Sequence, residues 1–347
     1  MSQTSLKDRL LVSALPADER ENGRRFLSAL SLIEDKLRSV EDLLRTRTRS
    51  DVGTIAQIGD YLVDGGGKRI RPALLLLAAR LLGHEGERDV RYAAVIELIH
   101  TATLVHDDII DEAELRRGRA SVNRRWGNEL TVLFGDFLYM KSMEIALEEG
   151  DLRVLRLLSD VTLEMTEGEI IGSEQRGSLE ITLEAYLDIV RRKTALLFAA
   201  ACRIPAFLSG EPSVYADKLW SYGLSLGIAF QLQDDLLDYT ASEKDLGKPV
   251  LSDLKEGKLT LPLILSLATA TRAERKLVES VVRERAFGSV TPEQVLEMVH
   301  RAGAMNRAHQ LLEEYAQRAR ACALQLPDGP GRDGLLLAAE YAANRRK

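Results

Sequence analysis

The chain has 347 residues, 45% of them hydrophobic and 29% charged, with a net charge of −6. Such a length and apolar content can build a sizeable globular core, and the acidic balance speaks against general nucleic-acid binding, which needs a basic face. Two isolated cysteines, Cys202 and Cys322, make neither a disulfide framework nor a zinc cluster and read as inert thiols. The start, "MSQTSLKDRLLVSALPADER", lacks a long apolar signal core. The runs "PALLLLAARLLG" and "TALLFAAACRIPAFL" are broken by Arg80 and Arg203 before they reach membrane-spanning length. The expected location is cytoplasmic, with no stable membrane insertion.

Along the chain the pattern is helical. Leu, Ala, Glu and Arg dominate, aromatics are 5%, and strand-like alternation is scarce. Residues 1–25 are set apart as a flexible N-terminal segment, and 26–347 read as one all-α unit. "GGGKRIRPAL" at 65–74 predicts a turn running into a helix, with Pro72 in its first turn. "AAVIELIHTATLVHDDIIDEA" predicts a long apolar helix that becomes acidic at its end. In "TRAERKLVESVVRER", Thr271 and Glu274 have the spacing of a capping box. "TPEQVLEMVHRAGA" offers Thr291 as cap, Pro292 at the first helical position and Gln294 at the third. "QLPDGPGRDG" at 325–334 predicts a loop before a last short helix.

Two acidic runs carry the chemistry. "HDDIID" places Asp107, Asp108 and Asp111 together, and "QDDLLDY" repeats the spacing with Asp234, Asp235 and Asp238, 127 residues on. With 23 aspartates in the chain, random placement yields roughly 0.1 copies of Asp-Asp-x-x-Asp. A solvated helix end explains one copy, but not two inside apolar runs. Asp107 and Asp111 share a helix face, as do Asp234 and Asp238. Carboxylates without His or Cys suit a hard cation, above all Mg²⁺, bridged to a substrate polyphosphate.

A phosphate site also needs fixed positive charge. Three glycines followed by Lys68, Arg69 and Arg71 permit close approach of a ligand to the backbone at a helix start. The Gly-Lys-Ser/Thr ending of a Walker loop is absent. Arg116 and Arg117 in "ELRRGRAS", Lys193 beside Thr194 in "RRKTA", and Lys248 and Lys258 in "DLGKPVLSDLKEGKLTLP" add further cations.

Together these stretches resemble the trans-isoprenyl diphosphate synthase family, the polyprenyl synthetases, of the long-chain octaprenyl or heptaprenyl type. "GGGKRIRP", "ELIHTATLVHDDIIDEAELRRGRAS", "RRKTA", "AFQLQDDLLDY" and "GKPVLSDLKEGKLTLP" occur in the family's order over residues 65–262, and the tail "EYAANRRK" is also similar. The resemblance implies an isoprenoid-synthase-type helical bundle around a central cavity, with the Asp motifs facing across its mouth. It implies a prenyltransferase that condenses an allylic diphosphate with successive isopentenyl diphosphates and releases pyrophosphate. It also implies a homodimer and a product serving quinone side chains or a carrier lipid. By the same resemblance, Asp107, Asp108, Asp111, Asp234, Asp235 and Asp238 hold Mg²⁺, three ions with substrate bound. Lys68, Arg71, His100 and Arg117 contact isopentenyl diphosphate. Arg116, Lys193, Thr194, Gln231 and Lys248 lie on the allylic side, with Lys258 near it. His100 and His106 have an alternative reading as packed or capping histidines.

Short-chain members of that family close the pocket with aromatics near the positions of Ala102 and Thr103. Here Ala102, Thr103 and Ile99 are small or aliphatic, as are Ile96 and Val95. The stretch from Val95 to Asp107 spans about 18 Å as a helix. A heptaprenyl to decaprenyl product is therefore expected, with a floor near Phe137 to Met140. A geranylgeranyl or farnesyl diphosphate synthase is the alternative. A class I terpene cyclase lacks the Gly-Gly-Lys-x-x-Arg segment and carries a different second motif. A partner subunit would lack the Asp motifs; a di-iron bundle, built on Glu-x-x-His pairs, is the other alternative, and that spacing occurs at Glu97–His100 and Glu297–His300.

Overall fold

The computed structural model describes residues 28–210, 213–240 and 250–344. The segment expected over 1–25 and the residue Lys248 lie outside them. Helix dominates, as the composition predicts. After a short 3-10 turn at Ser31–Ile33 come α1 (Glu34–Arg47), α2 (Gly53–Asp64), α3 (Ile70–Leu81) and α4 (Arg88–Ile110). A small antiparallel hairpin follows, β1 (Leu115–Arg116) and β2 (Arg119–Ala120), then α5 (Val122–Trp126), α6 (Asn128–Glu149), α7 (Leu152–Glu174) and α8 (Leu183–Val190). A π-helical segment, Arg191–Ala195, leads into α9 (Leu196–Ser209). The remaining helices are α10 (Ser213–Thr240), α11 (Ser252–Lys255), α12 (Leu261–Leu267), α13 (Arg272–Glu284), α14 (Pro292–Arg301), α15 (Ala304–Ala323) and α16 (Pro330–Asn344).

The chain divides into two compact units. Unit one holds the described residues within 1–159, 197–221 and 322–338; unit two holds those within 160–196, 222–321 and 339–347. In unit one, α3 is apolar on all sides and buried from Pro72 to Ala79, as such a helix must be. The middle of α4 is equally buried, from Tyr92 to Ile99. Each fully buried Leu or Ile there contributes about 1.5–3 kcal/mol of apolar transfer. In unit two the core gathers Leu232 and Leu236 of α10, the whole of α12, Val278 and Val281 of α13, and Val295, Met298 and Val299 of α14.

Both capping boxes form. Glu274 accepts the Thr271 N–H at 2.8 Å while the Thr271 hydroxyl accepts the Glu274 N–H at 3.3 Å. Gln294 and Thr291 exchange the same pair at 2.9 and 3.4 Å. Each cap is worth about 1 kcal/mol. The loop expected over 325–334 is shorter than its composition suggests, because α16 begins at Pro330 and runs 15 residues. Proline fits a first helical position, and the glycines after it serve close packing. A Cβ on Gly331 would come within 2.7 Å of the Leu77 carbonyl oxygen. The hairpin is the other departure from an all-helical reading. Its turn residues, Arg117 and Gly118, have φ of 53° and 73°, as a tight two-residue hairpin turn requires.

Both cysteines lie where burial pushes the thiol up in pKa, which agrees with the inert reading. Among the described residues no helix is long and apolar enough to cross a membrane.

Candidate active site

In unit one the first Asp motif ends α4. His100, Thr103, Asp107 and Asp111 follow one another at spacings of three and four, so they share one stripe of the helix. The Asp111 N–H closes the last turn onto the Asp107 carbonyl at 2.8 Å, and Glu112, with φ of 51°, stops the helix. Asp107 and Asp111 are half-buried, whereas Asp108 is buried. The Asp108 carboxylate accepts from Arg116 Nε at 2.6 Å. Burial pushes the Asp108 carboxyl up in pKa, and the Arg116 cation works against that. The middle aspartate therefore faces the hairpin, away from the stripe of its neighbours.

The hairpin also delivers Arg117, whose guanidinium donates to the Gly66 carbonyl. Glycine lets these groups sit close: a Cβ on Gly67 would lie 3.0 Å from Arg117 Nη1 and 3.2 Å from Arg69 Nη1, and the guanidinium tips would have to give by a few tenths of an ångström. Lys68 is half-buried on the same loop. The Arg71 guanidinium lies over the Phe198 ring, 4.3 Å from its centroid. Arg69, read from sequence as one of three cations of a phosphate site, turns inward and pairs with Glu41 and Glu97. Its φ of 49° is left-handed, a conformation that costs about 1–2 kcal/mol in a non-glycine residue.

Burial, and then the charges of Arg71, Arg117, Arg69 and Arg116, hold the His100 imidazole well below its ordinary pKa. His100 is neutral at pH 7, beside a concentration of guanidinium charge that suits an anion of two or more charges. His106 faces elsewhere. Its ring packs on α6, 3.2 Å from the Val132 carbonyl, where a Cβ on Gly135 would come within 2.2 Å.

Ile99 and Ala102 are buried, and the Thr103 hydroxyl donates to the His100 carbonyl at 2.8 Å. A cavity in unit one opens against another face of α4, lined by Leu98, Thr101, Val105 and Asp108 with Arg116 and Phe134. Phe137 stacks on Phe134 at 5.9 Å, while Met140 points outward.

In unit two the second motif sits in the last turns of α10. Asp234 is half-buried. Asp235 is buried; it accepts from the Tyr186 hydroxyl and from Gln231 Nε2 at 2.9 Å. Gln231 in turn accepts from the Thr194 hydroxyl at 3.0 Å. Burial and then the neighbouring Asp253 carboxylate push Asp235 up to about 7, against the pull of the Tyr186 and Gln231 bonds. Asp238 caps α11, accepting from the Ser252 hydroxyl at 2.8 Å and the Asp253 N–H at 3.3 Å.

The π-helical segment contains all of "RRKTA". It presses on α7 at Gly168, where a Cβ would fall 2.5 Å from Arg192 Cβ. Lys193 pairs with Glu169 of α7, and Lys258 with Glu256 at 2.9 Å. Glu41, Glu97, Glu169, Tyr186 and Asp253 were not singled out in the sequence. Each is held by a contact with a residue distant along the chain, and each is of an ordinary type for its helix or turn.

The donor set tests the expectation of a metal. Asp107 and Asp111 in unit one, and separately Asp234 in unit two, present carboxylate oxygens only, the donor type that hard divalent cations prefer. Among the described residues no three His, Cys, Asp or Glu side chains converge into a group able to hold a metal.

A family model, Polyprenyl synthetase, matches residues 52–299. The chain is 40% identical over 314 residues to the octaprenyl diphosphate synthase of Escherichia coli (strain K12), a match covering 90% of this chain and 97% of that protein. Its structure is similar to a polyprenyl synthase from Caulobacter crescentus CB15 complexed with calcium and isoprenyl diphosphate: TM-score 0.88, 35% identity, 93% of this chain and 98% of that one. It is also similar to a decaprenyl diphosphate synthase from Rhodobacter capsulatus: TM-score 0.87, 35% identity, 92% and 98% covered.

Proposed function

The chain belongs to the polyprenyl synthetase family, and from that premise we propose that it extends an allylic diphosphate with successive isopentenyl diphosphates to a heptaprenyl to decaprenyl product. It is a prenyltransferase making long all-trans polyprenyl diphosphates. The observation that carries the site reading is the stripe His100–Thr103–Asp107–Asp111 beside the Arg71–Arg116–Arg117 charge.

In each addition the allylic carbon–oxygen bond breaks and pyrophosphate leaves with the electron pair. The double bond of isopentenyl diphosphate attacks the allylic carbon, and the adduct loses a proton, for which the departing pyrophosphate is the acceptor. Lys68, Arg71, Arg117 and neutral His100 bind isopentenyl diphosphate. Arg116, Lys193, Thr194 and Gln231 serve the allylic diphosphate, with Lys248 and Lys258 contributing charge. Bound Mg²⁺, three ions with substrate, supplies positive charge to the departing diphosphate. The half-buried Asp107, Asp111 and Asp234 would hold it, and the buried Asp108, Asp235 and Asp238 would act from behind as orienting groups. Support for a divalent cation comes from the oxygen-only donor set and from the calcium in the Caulobacter relative. Apolar side chains around the allylic carbon exclude water that would quench the cation.

The active form is a homodimer in this reading. Leu133, Met140 and Leu147 recur every seven residues on α6 and are 58%, 58% and 63% exposed. With Leu130 and half-buried Phe137 they make an apolar seam about 25 Å long, fit for a second copy. A fully active monomer in sedimentation would refute this. The function itself is tested by incubating the protein with labelled isopentenyl diphosphate, several allylic primers and Mg²⁺. Products of seven to ten isoprene units are expected on mass analysis. Turnover of an allylic diphosphate without any isopentenyl partner would instead identify a cyclase.

A further inference from the structure

The loop between α2 and α3 presents three basic residues, and one behaves unlike the others. Lys68 and Arg71 are half-buried. Arg69 is only 7% exposed. Its Nε and Nη2 donate to Glu41 of α1 at 2.8 and 3.2 Å, and its Nη1 donates to Glu97 of α4 at 2.6 Å. Glu97 is itself buried and stands three residues before His100 on the same helix. One guanidinium therefore ties three separate stretches of chain. It does so from a left-handed backbone position, φ 49° and ψ 35°, at the start of α3.

Burial alone would weaken the Arg69 charge, but Glu97 and Glu41 outweigh it and keep the guanidinium ionised. Stability does not explain such a cluster. Apolar side chains of equal volume usually pack as well in its place. What they lack is direction: a planar fork between two carboxylates has one fitting orientation. Gly67 shows how tightly the loop is set, since a Cβ there would crowd both the Arg69 and the Arg117 guanidinium.

We infer that the Glu41–Arg69–Glu97 triad is a positioning device for the diphosphate loop. Arg69 touches no substrate; by fixing the backbone at its own position against α4, it sets where Lys68 and Arg71 stand relative to His100. The inference rests on the reading of this loop as the isopentenyl diphosphate site.

The test replaces the whole cluster with apolar residues, Glu41→Leu, Arg69→Met and Glu97→Leu together. The triple variant is expected to unfold within about 5 °C of the parent. Its KM for isopentenyl diphosphate should rise about 10-fold or more, and its KM for the allylic primer less than about 3-fold. A folded triple variant with both KM values unchanged overturns the inference. So does a fall in kcat with both KM values rising in step, which is what a merely structural cluster would give. Should the triple variant not fold, Glu41→Gln removes one charge and keeps an acceptor. An isopentenyl diphosphate KM raised about 3-fold at unchanged kcat then supports the device, and an unchanged KM sinks it. If the parent transfers no prenyl group, the functional reading fails separately. Amide hydrogen exchange over residues 66–71, expected to be about 10-fold faster in the variants, then decides the triad alone, and unaltered exchange overturns it.

Discussion

The two Asp-Asp-x-x-Asp runs have identical spacing and different surroundings. In unit one the middle residue, Asp108, is answered by a cation, Arg116, delivered by a hairpin. In unit two the middle residue, Asp235, is answered by neutral donors, Tyr186 and Gln231. The last residues differ as well: Asp111 caps the C-terminus of its own helix and is half-buried, whereas Asp238 is buried and caps the start of α11. Even the approach differs. Four residues before the first aspartate stands Thr103 in one helix and Phe230 in the other. Identical spacing assigns residues to a helix face, but partners far along the chain decide whether a carboxylate on that face meets ligand or protein.

The largest effect should separate the outer aspartates from the inner ones. Asp107→Ala or Asp234→Ala should lower turnover about 10³-fold, with far-ultraviolet circular dichroism unchanged. Asp108→Asn and Asp235→Asn should lose far less, about 10-fold. Equal losses at all four positions would erase the distinction drawn within each motif. Chelation with EDTA should abolish turnover in the parent, and Mg²⁺ should restore it.

Chain length distinguishes the approaches. Ala102 and Ala229 each lie five residues before the first aspartate, and both are buried. Ala102→Tyr should shift the product to farnesyl or geranylgeranyl diphosphate on mass analysis, while Ala229→Tyr should lower stability by about 1–3 kcal/mol through overpacking and leave product length unchanged. An unaltered long product from the Ala102→Tyr enzyme would place the product passage on another face of α4.

Stability should register the charge difference. Arg116→Ala strands the Asp108 carboxylate and should cost about 2 kcal/mol by denaturant titration. Tyr186→Phe removes one neutral donor from Asp235 and should cost about 1 kcal/mol. The reverse order would mean that Arg116, at the edge of its site, is well screened by solvent.

The smallest effect is in pH. The Asp235 pKa, about 7 in the folded chain, lies above its ordinary value of 3.8. Folding therefore favours the protonated form, and the associated stability is full below pH 3.8 and lost as pH rises through about 7. The ligand-free protein should lose unfolding temperature across that window, and Asp235→Asn should flatten the profile. A parallel pH profile in the variant would show that Asp235 is not the group responsible.

Much of this was legible from local patterns. The capping boxes at Thr271 and Thr291 form because their spacing alone satisfies the exposed N–H groups of a helix start. The helical stretch leading into Asp107 was plain from its apolar residues. What escaped was set by long-range pairing. Arg69 and Glu97 meet across 28 residues, and Tyr186 and Asp235 across 49. In sequence Arg69 is indistinguishable from the cations beside it, since only the partner identifies which of them turns inward. The start of α16 was misplaced because proline and glycine signal turns in general, whereas here proline opens a helix and Gly331 admits a close neighbour.

The π-helical turn holding "RRKTA" amounts to one residue more than a regular helix needs. Seen as a matter of helical phase, that surplus makes the segment intolerant of changes in length. Deleting one residue between Arg191 and Ala195 would let the helix run on regularly with α9 still in phase, because the bulge absorbs the surplus, but the residues inside the turn would change the face they occupy. Lys193 would swing from Glu169 and Thr194 from Gln231, and Asp235 would lose the chain of hydrogen bonds that ends on it. Point changes of side chain leave that phase intact. The count of residues from Val190 to Leu196 is therefore fixed by the fold.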